Sequence, residues 1–524
     1  MQTLVDLLEE AAAGYSDRPS LSIDSGAGGD AWSYSRLWRA AHAVARYLRE
    51  EQGIQRGERV LVWAPNSPQL VAAYFGAMLA GIVLVPLDAY SAPDFVGRIA
   101  QRSQPTAIIT GAGQEPPVAG LRTISLSGLP FDAEGPLLEE RPLASDIVEI
   151  VFTSGTTGDP KGVVLAHGNI VANIDSVSGL IPRGPHYRLL SLLPLSHMLE
   201  QTAGLYLPLS YRATIHYAAS RLPSVIFKAM GEHRITCMVV VPQVLDLFLK
   251  GIEREVRQRG QERRWRRAHR VASRLPFPLR RLLFRQVLRS LGGALDFFMC
   301  GGAYLPPPLA DAWERMGVKV VQGYGATECS PVVTSNSLKK RVASSVGRPV
   351  RNVQVRLGED GEVLVRGPNV FSGYWQNEEA TRAAFTEDGW YCTGDLGVLD
   401  KGGYLYLKGR KKDLIVLANG MNVYPEDVEN ELKQEEAVRD CVVVGLTDPS
   451  GDVQVHAVIL PAVQGEADEI RRQVDEAVRR ANARLSLHQR VKSHTLWPGE
   501  DLPRTNTLKV KKAEVEAYLS RLKA

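Results

Sequence analysis

Short apolar runs alternate with amphipathic stretches through the first three-quarters of the chain. The runs at 60–63, 82–85, 107–110, 147–152, 189–193, 214–217, 237–241, 297–300 and 318–321 are, apart from 214–217, apolar at nearly every position rather than at every second one. A strand covered on both faces has that pattern, and helical stretches between such strands predict βαβ crossovers. The expected fold class is α/β, with a large N-terminal domain of mostly parallel, helix-covered sheets. After about residue 340 the texture changes. Short strands at 353–357, 362–366 and 404–407, separated by glycine-containing turns, predict a small antiparallel region. Beyond 413, strands at 441–446, 453–460 and 490–497 around a helix at 466–483 predict a compact α+β unit. The charged turn KGRKKD at 408–413 divides the two textures, so the expected domains are 1–408 and 413–524 with a hinge at 409–412.

One stretch raises the question of a membrane span, because residues 70–87 carry no charge. Eighteen apolar residues reach the threshold. Asn66-Ser67-Pro68 is a helix start, however, and Gly81 is a helix stop, so the stretch is expected to split into a helix and a buried strand. Composition adds little: 44% of the 524 residues are hydrophobic, ample for a large core. Lys and Arg number 62 against 58 acidic residues, so no global field points to nucleic acid as a partner. Cys237, Cys300, Cys329, Cys392 and Cys441 have neither zinc nor disulfide spacing, which fits a reducing cytoplasm. Nothing in the pattern specifies an oligomeric state.

The strongest local signal is TSGTTGDPKG at 153–162, directly after an expected buried strand. Glycines Gly155 and Gly158 let the backbone turn tightly, hydroxyls come from Thr153, Ser154, Thr156 and Thr157, and Lys161 supplies a cation. Such a loop suits a polyphosphate. It is not a Walker A loop, since Pro160 and Gly162 stand where that motif has glycine and Ser/Thr.

This string resembles the signature of the AMP-forming acyl-CoA synthetase superfamily. Five further strings follow in that family's order: LLPLSHMLEQ at 192–201, GYGATE at 323–328, WYCTGDLG at 390–397, GRKKDLIVLANGMNVYPEDVE at 409–429 and LPRTNTLKVKK at 502–512. The resemblance implies a large N-terminal domain, a small mobile C-terminal domain, and ATP, Mg2+ and coenzyme A as reactants. It implies a magnesium ligand in Glu328 and an α-phosphate contact in Thr327. Tyr324 resembles the aromatic against adenine, with Gly301, Gly302 and Ala303 as the opposite wall. Asp395 resembles the carboxylate that accepts from both ribose hydroxyls, and Arg410 a second ribose contact. The competing reading of Asp395 is a turn residue in a Thr-Gly-Asp-Leu-Gly loop. His197 matches an aromatic position near the substrate carboxylate, with a packed or capping histidine as its competitor. Lys509 resembles the lysine that bridges carboxylate and α-phosphate, although Leu508 replaces a frequent glycine. Lys412 occupies the hinge position, and Gly420 would leave room for a pantetheine thiol.

The resemblance fixes the reaction better than the acid. ECSPVVTSN at 328–336 and the 414–429 string look like the long-chain fatty acid branch. Between Arg254 and Arg289 stand thirteen arginines and two glutamates, interleaved with Trp265, Leu275, Phe277, Leu282, Leu283, Phe284 and Leu288. A basic amphipathic segment fits an anionic membrane surface, where fatty acids partition. The sequence therefore predicts a long-chain fatty acid–CoA ligase, peripherally membrane-associated. An aryl or medium-chain ligase, or one delivering to a carrier protein, is the alternative, and a non-catalytic scaffold the remote one.

Overall fold

The computed structural model describes residues 1–24, 30–153, 160–220, 222–417, 421–447, 452–463, 465–504 and 510–523. Two compact units result. The first comprises Met1–Val355 and Val365–Tyr391, and the second Arg356–Leu364 and Cys392–Ala524.

Two sheets build the first unit. One runs in the order Arg348–Pro349, Val332–Ser335, Lys319–Gly325, Phe297–Cys300, Cys237–Val240, Arg188–Ser191, Thr214–Tyr217, Pro19–Ile23, Asp30–Ser33. Its six central strands, from Lys319–Gly325 to Pro19–Ile23, are all parallel. The other runs Gly373–Tyr374, Lys161–Ala166, Ile147–Thr153, Val83–Leu87, Arg59–Trp63, Ala107–Thr110, Arg122–Ser125, parallel except for its first two pairings. The expected α/β class is what the chain adopts.

The uncharged stretch splits as its punctuation predicts. Ser67 caps the helix Pro68–Leu79, accepting from Leu70 N at 3.1 Å, and Gly81 turns at φ +69° into the strand Val83–Leu87. This helix is buried nearly all round and lies against strands of both sheets, which explains its lack of a polar face. A Cβ on its Gly76 would come within 2.7 Å of Val44, so glycine is what lets the helix Tyr34–Arg46 cross there. Among the described residues no helix is long and apolar enough to cross a membrane.

The second unit holds a four-stranded sheet in the order Gln354–Leu357, Glu362–Arg366, Tyr391–Leu399, Leu405–Arg410, some of whose strands begin in the first unit's chain segments. It also holds a three-stranded sheet in which Val438–Thr447 pairs antiparallel and Ser493–Leu496 parallel with Val453–Pro461. The helix Ala467–Arg484 lays its Val474, Ala477, Val478 and Ala481 on that sheet's core.

Candidate functional site

The expected phosphate loop joins an antiparallel pair. Strand Ile147–Thr153 enters it and strand Lys161–Ala166 leaves it, with Thr153 opposite Lys161. Residues Ser154, Gly155, Thr156, Thr157 and Gly158 lie outside the described residues. The exit strand was not expected from the sequence. It is clamped on its free edge by the two-residue strand Gly373–Tyr374, and Trp375 N donates to Gly162 O at 2.7 Å. A Cβ on Gly162 would meet Ile150 at 2.8 Å and Trp375 at 3.1 Å, so a glycine after the lysine is required by this packing. Lys161 extends its ammonium over the Tyr374 ring, 5.1 Å from the centroid.

Glu328 stands in the 3-10 turn Thr327–Cys329, just past the strand Lys319–Gly325. Gly325 permits the turn: a Cβ there would fall 1.7 Å from Pro331 O. Two fully buried asparagines hold the turn's far side. Asn369 Nδ2 donates to Cys329 O at 2.7 Å and Asn173 Nδ2 to Val332 O at 2.7 Å. The Glu328 side chain is half-buried, and its Oε1 accepts from Tyr374 Oη at 2.9 Å. Tyr374 therefore touches both the loop's lysine and the glutamate. Neither it nor the two asparagines was expected from the sequence.

The remaining first-unit candidates lie at the carboxyl ends of neighbouring parallel strands, where α/β sheets bind ligands. Strand Phe297–Cys300 ends at Gly301, Gly302 and Ala303, and its neighbour Lys319–Gly325 contains Tyr324. Gly302 adopts φ +81°, which favours glycine. A Cβ on Gly301 would lie 3.5 Å from Gly323 O and from Leu199, so the turn after strand Arg188–Ser191, which carries His197, adjoins this wall. Asn66 anchors that turn, donating to Leu193 O at 2.7 Å and accepting from Leu195 N at 2.9 Å.

In the second unit Asp395 and Arg410 are register partners on adjacent antiparallel strands. Asp395 is not a loop residue, as the turn reading had it. It lies within strand Tyr391–Leu399 and is 8% exposed, and on the same strand the buried Thr393 donates to Val363 O at 2.7 Å. Arg410 Nε meets Asp395 Oδ1 at 2.7 Å. Lys412 is exposed in the 3-10 turn Lys411–Asp413. The neighbouring Lys411 bridges Asp360 at 2.6 Å and Glu362 at 2.9 Å. Gly420 and Lys509 lie outside the described residues.

Against known proteins, residues 8–375 match the AMP-binding enzyme family and residues 412–521 the AMP-binding enzyme C-terminal domain. The chain belongs to the AMP-binding enzyme family. The resemblance drawn from the motifs, to AMP-forming acyl-CoA synthetases, thus holds along most of the chain. This AMP-binding enzyme is 31% identical over 505 residues to a feruloyl-CoA synthase of Amycolatopsis sp, covering 93% of the chain and 94% of the relative. It is 29% identical over 540 residues to a long-chain-fatty-acid–CoA ligase of Mycobacterium bovis, covering 90% and 88%. Among solved structures, o-succinylbenzoate CoA synthetase from Bacillus subtilis in complex with its acyl-adenylate intermediate superposes with a TM-score of 0.79 over 97% of each chain at 23% identity, a likeness of fold.

Proposed function

We propose that the protein activates a carboxylic acid with ATP, forming an acyl adenylate and pyrophosphate, and then transfers the acyl group to coenzyme A with release of AMP. The observation that carries this reading is the meeting of Lys161 and Glu328 at Tyr374. Both reactants of the first step are anions, so a site for it needs cations at the phosphates and a carboxylate that can take part in holding a metal. The chemistry of the donor set fits magnesium. Among the described residues no cluster of three or more metal-binding side chains exists, and Glu328 Oε2 is left over once Tyr374 occupies Oε1. Magnesium is commonly held by one or two carboxylates plus substrate phosphates, and when bound it would neutralise charge on the leaving pyrophosphate.

The chain's own residues take these roles. The 154–158 loop and Lys161 bind the phosphates, and Thr327 contacts the α-phosphate. Tyr324 and the Gly301–Gly302–Ala303 wall take adenine, while Asp395 and Arg410 take the ribose. His197 orients the acid's carboxylate and Lys509 draws it toward the α-phosphate. The 409–412 hinge around Lys412 separates domains 1–408 and 413–524, and Gly420 opens the thiol path.

A long-chain fatty acid in the cytoplasm is the acid we favour, and the surface of the helices Glu262–Ala272 and Phe277–Leu283 supports it. Arg263, Arg264, Arg266 and Arg267 are exposed, with Val271, Leu279, Leu282 and Leu283 between 44% and 62% exposed beside them. Two sequence expectations change. Trp265 faces inward, its ring 5.5 Å from that of buried Phe284. Arg280 and Arg281 are tied to backbone carbonyls of Leu275, Leu295 and Gly317. The leucines of the shorter helix, rather than the tryptophan, are thus the apolar part of an interface that suits anionic lipid. The helix Pro242–Gln258 leads there from beside Gly302, whose Cβ would lie 3.6 Å from Val241. At 1.5 Å per residue it spans about 25 Å, a reach suited to a long acyl chain.

Pyrophosphate release and acyl-CoA formation across a series of fatty acids, ferulate and short acids tests the assignment. Preference for long chains is expected. Preference for ferulate would instead make this an aryl-CoA ligase, and equal pyrophosphate release with no acyl-CoA would point to a carrier-protein acceptor.

A further inference from the structure

We propose that Tyr374 is the positioning residue that sets Glu328 and Lys161 for magnesium–ATP. The inference rests on the reading above, in which these two residues take the metal and the phosphates, and it adds the residue that arranges them.

The backbone leaves Tyr374 little choice of place. Gly373 lies so close to Thr381 that a Cβ would come within 2.7 Å of its Cγ2. Tyr374 N donates to Thr381 Oγ1 at 2.9 Å. The two-residue strand is pinned across Val163 and Val164. The ring then packs edge-on to Phe371 at 4.9 Å, and Phe371 N donates to Glu328 O at 2.8 Å. Ring and carboxylate are therefore mounted on one frame.

A tyrosine hydroxyl carries one proton and can donate only once. Here it donates to Glu328 Oε1, 2.9 Å away. That single donation engages Glu328 Oε1 and leaves Oε2 for a metal. The ring face meanwhile holds the Lys161 ammonium through its negative quadrupole. No ion pair joins Lys161 to Glu328 among the described residues. A neutral ring between opposite charges keeps them near each other without letting them quench one another, and each remains available to the nucleotide.

The test is ATP binding by calorimetry, in magnesium and in EDTA, on the full chain. Magnesium should tighten binding by the wild type. Tyr374→Phe keeps the ring and loses the hydroxyl. It should lose about tenfold of the magnesium-dependent gain, the scale of a hydrogen bond to a charged group, with affinity in EDTA unchanged. In the Glu328→Gln background Tyr374→Phe should have no further effect, because both changes remove the same arrangement. Tyr374→Leu, with its melting temperature checked, should also weaken binding in EDTA. Full retention of the magnesium-dependent gain by Tyr374→Phe overturns the proposal, as does an undiminished effect in the Glu328→Gln background. If the wild type itself shows no magnesium-dependent gain, the reading of Glu328 as metal ligand fails, and this inference fails with it.

Discussion

Two pairs of opposite charges are arranged differently in the two units. In the first, Lys161 and Glu328 are both held by Tyr374 and do not bridge. In the second, Asp395 and Arg410 meet directly at 2.7 Å, with the carboxylate buried and the guanidinium half-exposed. The difference follows the ligands proposed for them. A triphosphate with its metal brings large charges of both signs, and a lysine already paired to the metal's carboxylate would have to be separated from it first. A ribose is neutral and asks only for oriented acceptors, so an arginine that pins an aspartate in place costs nothing in binding. Charge held apart serves a charged ligand, and charge paired serves a neutral one.

Removing the charge tests each side. Glu328→Gln should slow adenylation on the order of a thousandfold, as loss of a preorganised electrostatic group does, with little change in melting temperature because the side chain is only half-buried. A drop of less than tenfold at saturating magnesium would mean that the carboxylate is not a ligand.

A buried carboxylate bonded to a neutral amide extends the comparison. Glu149 is fully buried and accepts from Gln201 Nε2 at 2.9 Å. Burial pushes its carboxyl up to about 7, against an ordinary 4.5. The folded state therefore holds this proton more tightly than the unfolded chain. Its contribution to stability is undiminished below the unfolded value, falls as pH rises from about 4.5 to 7, and is fully lost above. Glu149→Gln should remove that loss, stabilising the protein by about 3 kcal/mol at pH 8 and much less at pH 4.5. Parallel pH–melting curves for wild type and variant would contradict it.

Asp395→Asn should act more mildly, raising the KM for ATP about tenfold through lost hydrogen bonds to a charged acceptor. It should also erase discrimination between ATP and its 2′-deoxy analogue. If the wild type does not discriminate, Asp395 does not read the ribose. Smallest is the surface effect. Arg263, Arg264, Arg266 and Arg267 replaced together by Gln should weaken binding to anionic vesicles several-fold, since each exposed arginine contributes up to about 1 kcal/mol. Residual binding should be less salt-sensitive and activity on a soluble short acid unchanged. No preference of the wild type for anionic over neutral vesicles would leave the exposed leucines without a lipid partner.

The α/β class, the split of 70–87 and the parallel sheets were legible because buried strands of this kind are apolar at consecutive positions. Strands Pro19–Ile23, Asp30–Ser33 and Lys161–Ala166 were not read. The first alternates serine with apolar residues, the second is only Asp-Ala-Trp-Ser, and the third follows the glycine loop without a break in texture. Glu328 and Lys161 stood out through their motifs. Tyr374 did not, because a two-residue strand has no periodicity and its partners lie 46 residues away at Glu328 and much farther at Lys161. Asn173 and Asn369 are hidden for the same reason: each stabilises a turn distant in sequence. Trp265 was misread because an amphipathic helix has an apolar side whichever way it faces, and its packing against Phe284 is a tertiary choice.

The measurement that tests the central claim most directly is a reaction of the protein with ATP labelled at the α-phosphate, magnesium and a long-chain fatty acid, with coenzyme A withheld. The account predicts acid-dependent pyrophosphate release and a label that travels with the fatty acid as acyl adenylate, discharged to AMP and acyl-CoA when coenzyme A is added. Acid-dependent formation of ADP and phosphate, or no acid-dependent cleavage of ATP with any carboxylic acid, would contradict it.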